Sequence, residues 1–536
     1  MRSKKLHLML LGLTAGAFCN IASAQLFIDQ ATFTIQAGAT VTVQGDVTSN
    51  TDILGTGKVI LKGTANQNVN MGGFTIPNVE IDNAANVTLT GNAKVGSSLL
   101  FTNGKILIGS NNLTLSDVAT ASGGGTSKFI ETNGTGQVIK LLTTNVTAVE
   151  IPVGSGTSYR PAFITSSGTY SAANVGVKAL PIVEPNAPPK ISDYLAVYWP
   201  ITKTGVTGTV TVAGQYIDGV DISGTEANLR GYFFNGTDWS STGETHDAAL
   251  NRVAAPIATA SGNLYGMDKF VLAKAKVFLQ GAFNGTVMTT ALRTPTNLIP
   301  LTDPYRSAPF TANYPHVANS IPEIVQAAVF NNQVNATDNI VDWVFIQLRS
   351  NVSPGNTVLQ TRSALLKSDG NIVDIDGKSP VTFNNTVDGS YTIAVRHRNH
   401  LGISADPATN LLALAEQKST AALLDLTTAT DAQIFGPATS FKVVSGKNVM
   451  WAGNANFNNN VSYTGLANDK DYLFVTALNS NGSSGGSLTN IYSSADMNLN
   501  RTVSYSGLGN DKDVLFITVM VNNGAATNNK VQALPN

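Results

Sequence analysis

From Gln25 to about residue 180 the apolar residues come in pairs, two positions apart, on segments too short to bury a face by themselves. Val79 and Ile81 are expected to pair with Val87 and Leu89. Leu99 and Phe101, Ile106 and Ile108, and Leu113 and Leu115 follow. Thr, Lys, Asn or Asp alternates with each apolar residue, and turns such as Asn83-Ala-Ala-Asn86, Thr102-Asn-Gly-Lys105 and Gly109-Ser-Asn-Asn112 separate the segments. The pairs recur about every seven to eight residues, with period two inside each segment. Three such strands make a rung of roughly twenty-odd residues, and stacked rungs make a β-solenoid. A flat sandwich of short strands satisfies the same alternation. Val149-Glu-Ile151-Pro-Val153-Gly and Tyr159-Arg-Pro161-Ala-Phe163 read as a hairpin that caps this region.

The first residues explain where such a chain goes. Arg2, Lys4 and Lys5 precede an apolar run from Leu6 to Phe18, and Ala22-Ser23-Ala24 supplies small residues before Gln25. This is the pattern of a secretory signal (residues 1–24) cut after Ala24, and it implies a secreted, cell-surface or extracellular protein. The single cysteine, Cys19, falls inside the signal, with bulky Phe18 before it where lipoprotein cleavage wants a small residue. The exported chain then has no disulfide and relies on core size and strand pairing. With Arg2, Lys4 and Lys5 gone, 30 basic residues face 34 acidic ones. That balance steers toward neither nucleic acid nor an anionic membrane. Charged residues are only 12% of the chain, so Asn, Thr, Ser and Gly must supply the polar surface. After the signal no apolar run is long enough to span a bilayer.

The expected fold is mainly β and multidomain. A β-solenoid-like region occupies 25–183. Glu184-Pro-Asn-Ala-Pro-Pro189 reads as a stiff linker. A β-sandwich is expected over 190–275, where Asn235-Gly236 signals a tight hairpin between aromatic runs. Its Trp199 and Trp239 are either core residues or a sugar-stacking platform. A second β-sandwich, over 276–445, carries a long loop from Pro295 to Pro322. Residues 446–536 form a small tandem repeat.

That repeat is one unit written twice, 42 residues apart: Asn454-Ala-Asn456-Phe-Asn458-Asn-Asn460-Val461 and Asp496-Met-Asn498-Leu-Asn500-Arg-Thr502-Val503. Oxygen side chains at loop positions 1, 3 and 5 and a β-branched residue at position 8 are the pattern of a calcium loop that opens a helix. Position 12, where a bidentate carboxylate is usual, holds Gly465 or Gly507. Asp469 and Asp511, or Asp471 and Asp513, are the carboxylates placed to replace it. The candidate Ca2+ ligands are therefore Asn454, Asn456, Asn458, Asn460, Asp469 and Asp471 in the first copy. In the second they are Asp496, Asn498, Asn500, Thr502, Asp511 and Asp513. The alternative is that the Asn side chains cap backbone turns. Few carboxylates mean weak binding, about 10⁻⁴–10⁻³ M, with the first loop the weaker. Helices are expected from Asp469 and Asp511. They would bury Leu473 with Ala477 and Leu515 with Val519, against the resistance of Val475, Ile517 and Val521.

Elsewhere the chemistry is sparse. Arg396-His397-Arg398-Asn399-His400 reads either as an anion-binding edge or as a charged strand end. In the strand phase, His397 faces inward and both arginines face out. His397 and His400 should point to opposite faces, which disfavours zinc. Glu80 and Asp82 share one strand face. They are a candidate carboxylate pair for glycoside hydrolysis, or simply part of a solvated face. No Gly-x-Ser-x-Gly, phosphate loop or His-Glu-x-x-His occurs, and the expectation is a protein that is not an enzyme.

Four phrases resemble a family of large secreted surface proteins of Bacteroidota that carry a haemagglutinin-like label. They are Lys276-Val-Phe-Leu-Gln-Gly-Ala-Phe283, Ile299-Pro-Leu-Thr-Asp-Pro-Tyr305, Ile340-Val-Asp-Trp-Val-Phe-Ile-Gln-Leu-Arg349 and Ala394-Val-Arg-His-Arg-Asn-His-Leu-Gly402. Many members end in paired dockerin-like calcium loops with a trailing Asn-Asp-Arg-Asp, matched here by Asn468-Asp-Lys-Asp471 and Asn510-Asp-Lys-Asp513. The loops depart from the family at Asn454, Asn458, Asn459, Asn500 and Arg501, where Asp or Gly is usual. The resemblance implies a structural or adhesion protein of the cell surface or extracellular matrix, with surface or matrix proteins or glycans as partners. The competing expectations are a surface carbohydrate-binding or carbohydrate-active protein, and a fibre-forming subunit that self-associates through strand edges.

Overall fold

The computed structural model describes residues 24–241, 246–317, 321–351, 357–483, 486–522 and 529–535. Residues 1–23 of the expected signal, Cys19 included, lie outside them. The chain is mainly β. It divides into two units, Met1–Ala187 with Ile191–Lys269, and Pro188–Lys190 with Phe270–Asn536.

The first unit begins with a β-solenoid of about 6 turns. One parallel sheet stacks Leu26–Ile28, Val47–Ser49, Gln67–Asn70, Val87–Leu89, Ile106–Leu107, Ile130–Glu131 and Val153–Ser155. A second stacks Thr40–Val43, Lys58–Leu61, Thr75–Asp82, Ala93–Asn103, Leu113–Leu115 and Val138–Leu142. The expected partnership of Val79 and Ile81 with Val87 and Leu89 is not found. Val79 and Ile81 lie in register with Leu99 and Phe101, one rung later, and Val87 lies beside Ile106. The reason is local. The turn ending at Asn86, which sits at φ 77, bends the chain onto the next face and does not reverse it. Each apolar pair therefore stacks on its counterpart one rung away, as Val43, Leu61, Ile81 and Phe101 do, all at 3% exposure or less. Burying a side chain of this size contributes about 1.5–3 kcal/mol.

The outer positions stack in the same register. Lys58 donates to Glu80 from 22 residues away, and Thr102 donates to Glu80 from another 22. Asp46 accepts from Asn68, and Asn66 from Thr88. Polar residues interrupt the apolar rows at a few inward positions, among them Gln67, whose amide donates to the Val43 and Gly45 carbonyls, and Lys140. Lys140 is 2% exposed, and its Nζ donates to the carbonyls of Ser116, Asp117 and Ala119 at 2.6–2.9 Å. Lys140→Met is expected to strand those carbonyls, each costing roughly 1–3 kcal/mol. A drop in the urea midpoint of the first unit checks this, and an unchanged midpoint would show that water replaces the ammonium.

Antiparallel strands close the far end, where a capping hairpin was expected. Val153–Ser155 pairs with Ser158–Tyr159, and Val138–Leu142 with Ala162–Val177. The solenoid sheet thereby continues into an antiparallel one built on Ala162–Val177 and Tyr194–Gln215. Trp199 and Trp239 are buried there, their indole N–H groups donating to the carbonyls of Arg160 and Asn186. Neither offers a face for a sugar. The first part of the segment read as a stiff linker, Glu184 to Ala187, is tied down within the first unit: Glu184 is 1% exposed and accepts from Asn186 and Asn263.

The second unit begins earlier than expected, with Phe270–Lys276. Its sheet runs Val381–Asn384, Phe270–Lys276, Asn371–Val373, Val358–Lys367, Ile340–Arg349, Gly389–His397, His400–Ser404. Every residue of Ile340–Arg349 is buried, so this strand has core on both faces. In its described residues the Pro-rich stretch is a loop, but a packed one. Tyr305, Phe310 and Tyr314 are buried, and both tyrosines lie 5.5 Å from the Phe345 ring. Phe457 and Leu499 of the C-terminal repeats belong to the same core.

Candidate functional site

The two repeats superimpose position by position in their backbone signature. Phe457 and Leu499, Asn459 and Arg501, and Gly465 and Gly507 all have positive φ. Position 6 of such a loop normally needs glycine for this conformation. Asn459 adopts it cheaply, and Arg501 does so at φ 77, anchored by donation to the carbonyls of Ala291, Thr294 and Thr296. Helices start at Asp469 and Asp511, each capped by the preceding asparagine, whose side chain accepts from the Asp471 or Asp513 N–H at 2.8 Å. Both widen into π-helical turns at Tyr472–Leu478 and Ile517–Val521, where the β-branched residues fall. Leu473, Leu515 and Val519 are fully buried between them.

Asp469 and Asp511 turn back into the loops. Asp469 accepts from the N–H groups of Ala455, Asn456 and Ser462, and Asp511 from those of Met497 and Ser504. Asp496 accepts from Asn500 and Arg501. Burial pushes the three carboxyls up, Asp469 to about 7, Asp496 to about 6 and Asp511 to about 8, with Asp496 adding to the rise at Asp511. Asp471 and Asp513 are not brought into the loops. Their side chains are 60% and 52% exposed and accept from Asn468 and Asn510, because two residues along a helix is more than half a turn away from Asp469 and Asp511.

The asparagines cap turns. Asn456 accepts from the Asn458 N–H, Asn458 from that of Asn460, Asn498 from Asn500, and Asn500 from Thr502. Asn456 and Asn498 also donate to the carbonyls of Ala467 and Gly509, both at 2.7 Å. Turn capping leaves each amide oxygen a second lone pair. Asn454, 1% exposed, has neither Oδ1 nor Nδ2 hydrogen-bonded, and Asn460 Oδ1 is likewise buried and unbonded. Among the described residues no three His, Cys, Asp or Glu side chains gather as a metal group, since the donor set is mostly amide. By donor chemistry, Asp496, Asp511, Asn498 and Asn500 are the side chains of the second loop that would hold a hard divalent cation. In the first loop Asn454, Asn456, Asn458 and Asp469 would do so more weakly, with a single carboxylate. Bound there, a cation would neutralise the buried carboxylates and fix the loop.

A second buried polar cluster ties these loops to the sheet, and sequence reasoning misplaced it. Arg398 and Asn399 form a two-residue turn, so His397 and His400 lie opposite each other across a hairpin. They do not point to opposite faces, as an extended segment would require. Their Nδ1 atoms are 3.0 Å apart, within hydrogen-bond reach, and His400 Nδ1 also lies 2.7 Å from Asn399 Oδ1. Both arginines are buried as well, Arg396 at 8% and Arg398 at 1% exposure, so no anion-binding edge faces solvent. The counter-charge is internal. Asp342 Oδ2 accepts from Arg398 Nε at 2.8 Å and from His397 Nε2 at 3.1 Å. Its Oδ1 accepts from Tyr492 Oη and from the Trp343 N–H. Burial opposes ionisation, but Arg398 overrides it and holds Asp342 down at about 2. Arg398 also donates to the Ser493 carbonyl, and Asn399 to that of Asp496. Gly281 N–H donates to His400, and a Cβ at Gly281 would meet the Met497 carbonyl at 1.9 Å. Three of the four family-like phrases thus meet at Asp342 and the second loop. Asp342 inside an apolar strand was the signal for this cluster.

Glu80 and Asp82 stand on the solvated face of the solenoid, held by Lys58 and Thr102, and by Lys62 and Asn103. These contacts, those with Lys58 and Lys62 foremost, lower both carboxyls, the reverse of what a general acid needs. No family model, no curated protein and no solved structure matches the chain.

Proposed function

We propose that this is a secreted, non-enzymatic protein of the cell surface or extracellular matrix that acts in adhesion or structural assembly. In this reading the antiparallel regions are sandwich-type modules and the C-terminal pair is a dockerin-like docking module that holds calcium weakly. One observation carries it. The repeats expose large apolar side chains in equivalent pairs: Leu466 and Leu508 at 102% and 108%, Phe474 and Phe516 at 48% and 40%, and Val475 and Ile517 at 52% and 45%. A duplicated apolar surface of this kind marks an interaction site more often than a catalytic one. Within it the equivalent rings pack across the two repeats, Tyr463 on Phe516 and Phe474 on Tyr505.

The test is retention of purified residues 25–536 on immobilised matrix proteins and on a glycan array, in calcium and in chelator. The expected result is binding that falls at least tenfold in Leu466→Glu/Leu508→Glu, whose positions touch no core. Equal retention by the variant would move the docking surface elsewhere. Release of oligosaccharide from a polysaccharide panel would replace this reading with the carbohydrate-active one.

A further inference from the structure

The first rung of the solenoid differs from every later one. Leu26 and Ile28 bond to the second rung through the Leu26 N–H and the Ile28 carbonyl. Alternation along a strand then turns the N–H and C=O of Phe27 away from that rung. Ala39 and Val43 accept from Lys58 and Lys62 in the second rung, which turns the backbone groups of Thr40 and Thr42 outward in the same way. Among the described residues no strand pairs with the outer edges of Leu26–Ile28, Phe33–Ile35 or Thr40–Val43. The core is open there as well. Leu26, Phe33 and Val41 point inward but are only partly buried. Their register partners one rung in, Val47, Ile53 and Val59, are 0–2% exposed. Natural sheet edges are blunted by lysine, proline or inward-pointing charge. The first rung, Gln25–Val43, has none of these, and its one charged residue is Asp29.

We propose that this open rung is a homodimer interface, in which two copies join end to end through a two-fold axis. The inference rests on the reading that residues 1–24 are removed on export. A second copy is the occupant that fits. Two rungs related by a two-fold axis run antiparallel, so each free edge meets a free edge, and the apolar cross-section meets its own chemistry. Only one Asp29 per copy enters the contact. The opposite end of the solenoid cannot take part, because Ser158–Tyr159 and Ala162–Val177 already pair with its last strands. With one open solenoid end per copy, this contact closes at two.

Sedimentation equilibrium of purified 25–536 tests this from micromolar to tens of micromolar. The expected mass is twice that of the chain. Val41→Lys, an inward charge at the open end, and Thr42→Pro, which removes an outward N–H, should each shift the dissociation constant at least a hundredfold toward monomer. Thr48→Lys on the outer face of the second rung should leave it unchanged. Hydrogen exchange at Phe27 and Thr42 should slow as dimer forms. A monomer at all concentrations, an open-ended series of oligomers, or a dimer indifferent to both first-rung variants would each overturn the proposal. N-terminal sequencing of the exported protein tests the signal separately, and a start at Met1 would remove that premise while leaving the result for 25–536 standing.

Discussion

Asp342→Asn is expected to lower the unfolding free energy of the second unit by about 3–5 kcal/mol, the usual cost of breaking a buried ion pair from one side. Asparagine keeps the shape and two of the contacts but leaves Arg398, 1% exposed, without a counter-charge. It also disturbs Tyr492, which donates to Asp342, and through Ser493 and Asp496 it reaches the second repeat. Urea unfolding, read by hydrogen exchange in peptides covering 393–404 and 488–504, measures the loss. A change below 1 kcal/mol would show that the cluster is held by packing alone. Asp342→Leu with Arg398→Met should recover much of the loss, because replacing both ions avoids the desolvation that replacing one creates.

Calcium is expected to raise the melting temperature of the same unit, most clearly near pH 8. At about 10 mM calcium and a dissociation constant of about 10⁻⁴–10⁻³ M, the stabilisation is about 1.4–2.7 kcal/mol. Asp496→Ala should reduce that shift more than Asn454→Ala, since only the second loop has a carboxylate at position 1. The pH dependence in chelator follows from two opposed groups. Asp469, Asp496 and Asp511 keep their protons to about 7, 6 and 8 in the fold, whereas the unfolded chain releases them near 4. Their contribution is present below 4 and is lost as pH rises to about 8. His397 and His400 behave in reverse. Burial lowers both, His400 well below 6.5, so the unfolded chain takes up protons first and stability is lost as pH falls below 6.5. In chelator the melting temperature should therefore follow a curve that falls as pH rises from about 4 to about 8, gently below 6.5, where the two histidines offset most of the three carboxyls, and more steeply above. Calcium should flatten its alkaline side. Identical melting curves in millimolar calcium and in chelator at pH 8 would make the repeats purely structural.

How far the sequence could be read depended on whether a contact was local. The solenoid was legible because each rung repeats the same pattern, so Val79 and Ile81 announce their own burial without knowledge of a partner. Which strands they meet was not legible, since the turn at Asn83–Asn86 decides between reversal and a bend by one positive φ. The loop duplication was visible residue for residue, and so were the helix starts, because an asparagine cap is a local interaction. The choice of Asp469 over Asp471 was harder, since both lie in one helical turn and only the fold selects the side that faces inward. The His397 and His400 pair was misread for the opposite reason: treating 396–400 as one extended strand hid a two-residue turn. Asp342 lies 55 residues before His397, and such a separation leaves no local trace except an acid in an apolar strand.

The rung-on-rung stacking of the solenoid has a consequence for how such chains change length. Leu26 lies beside Val47, and Val47 beside Val69. Excising residues 47–68 would bring Val69 beside Leu26 with its alternation intact, and duplicating them would insert a turn just as smoothly. Each change moves everything beyond it by one strand spacing, about 4.8 Å. The fold is thus a ruler graduated in single turns, and the distance it sets can be rewritten by gain or loss of one segment without redesigning any contact.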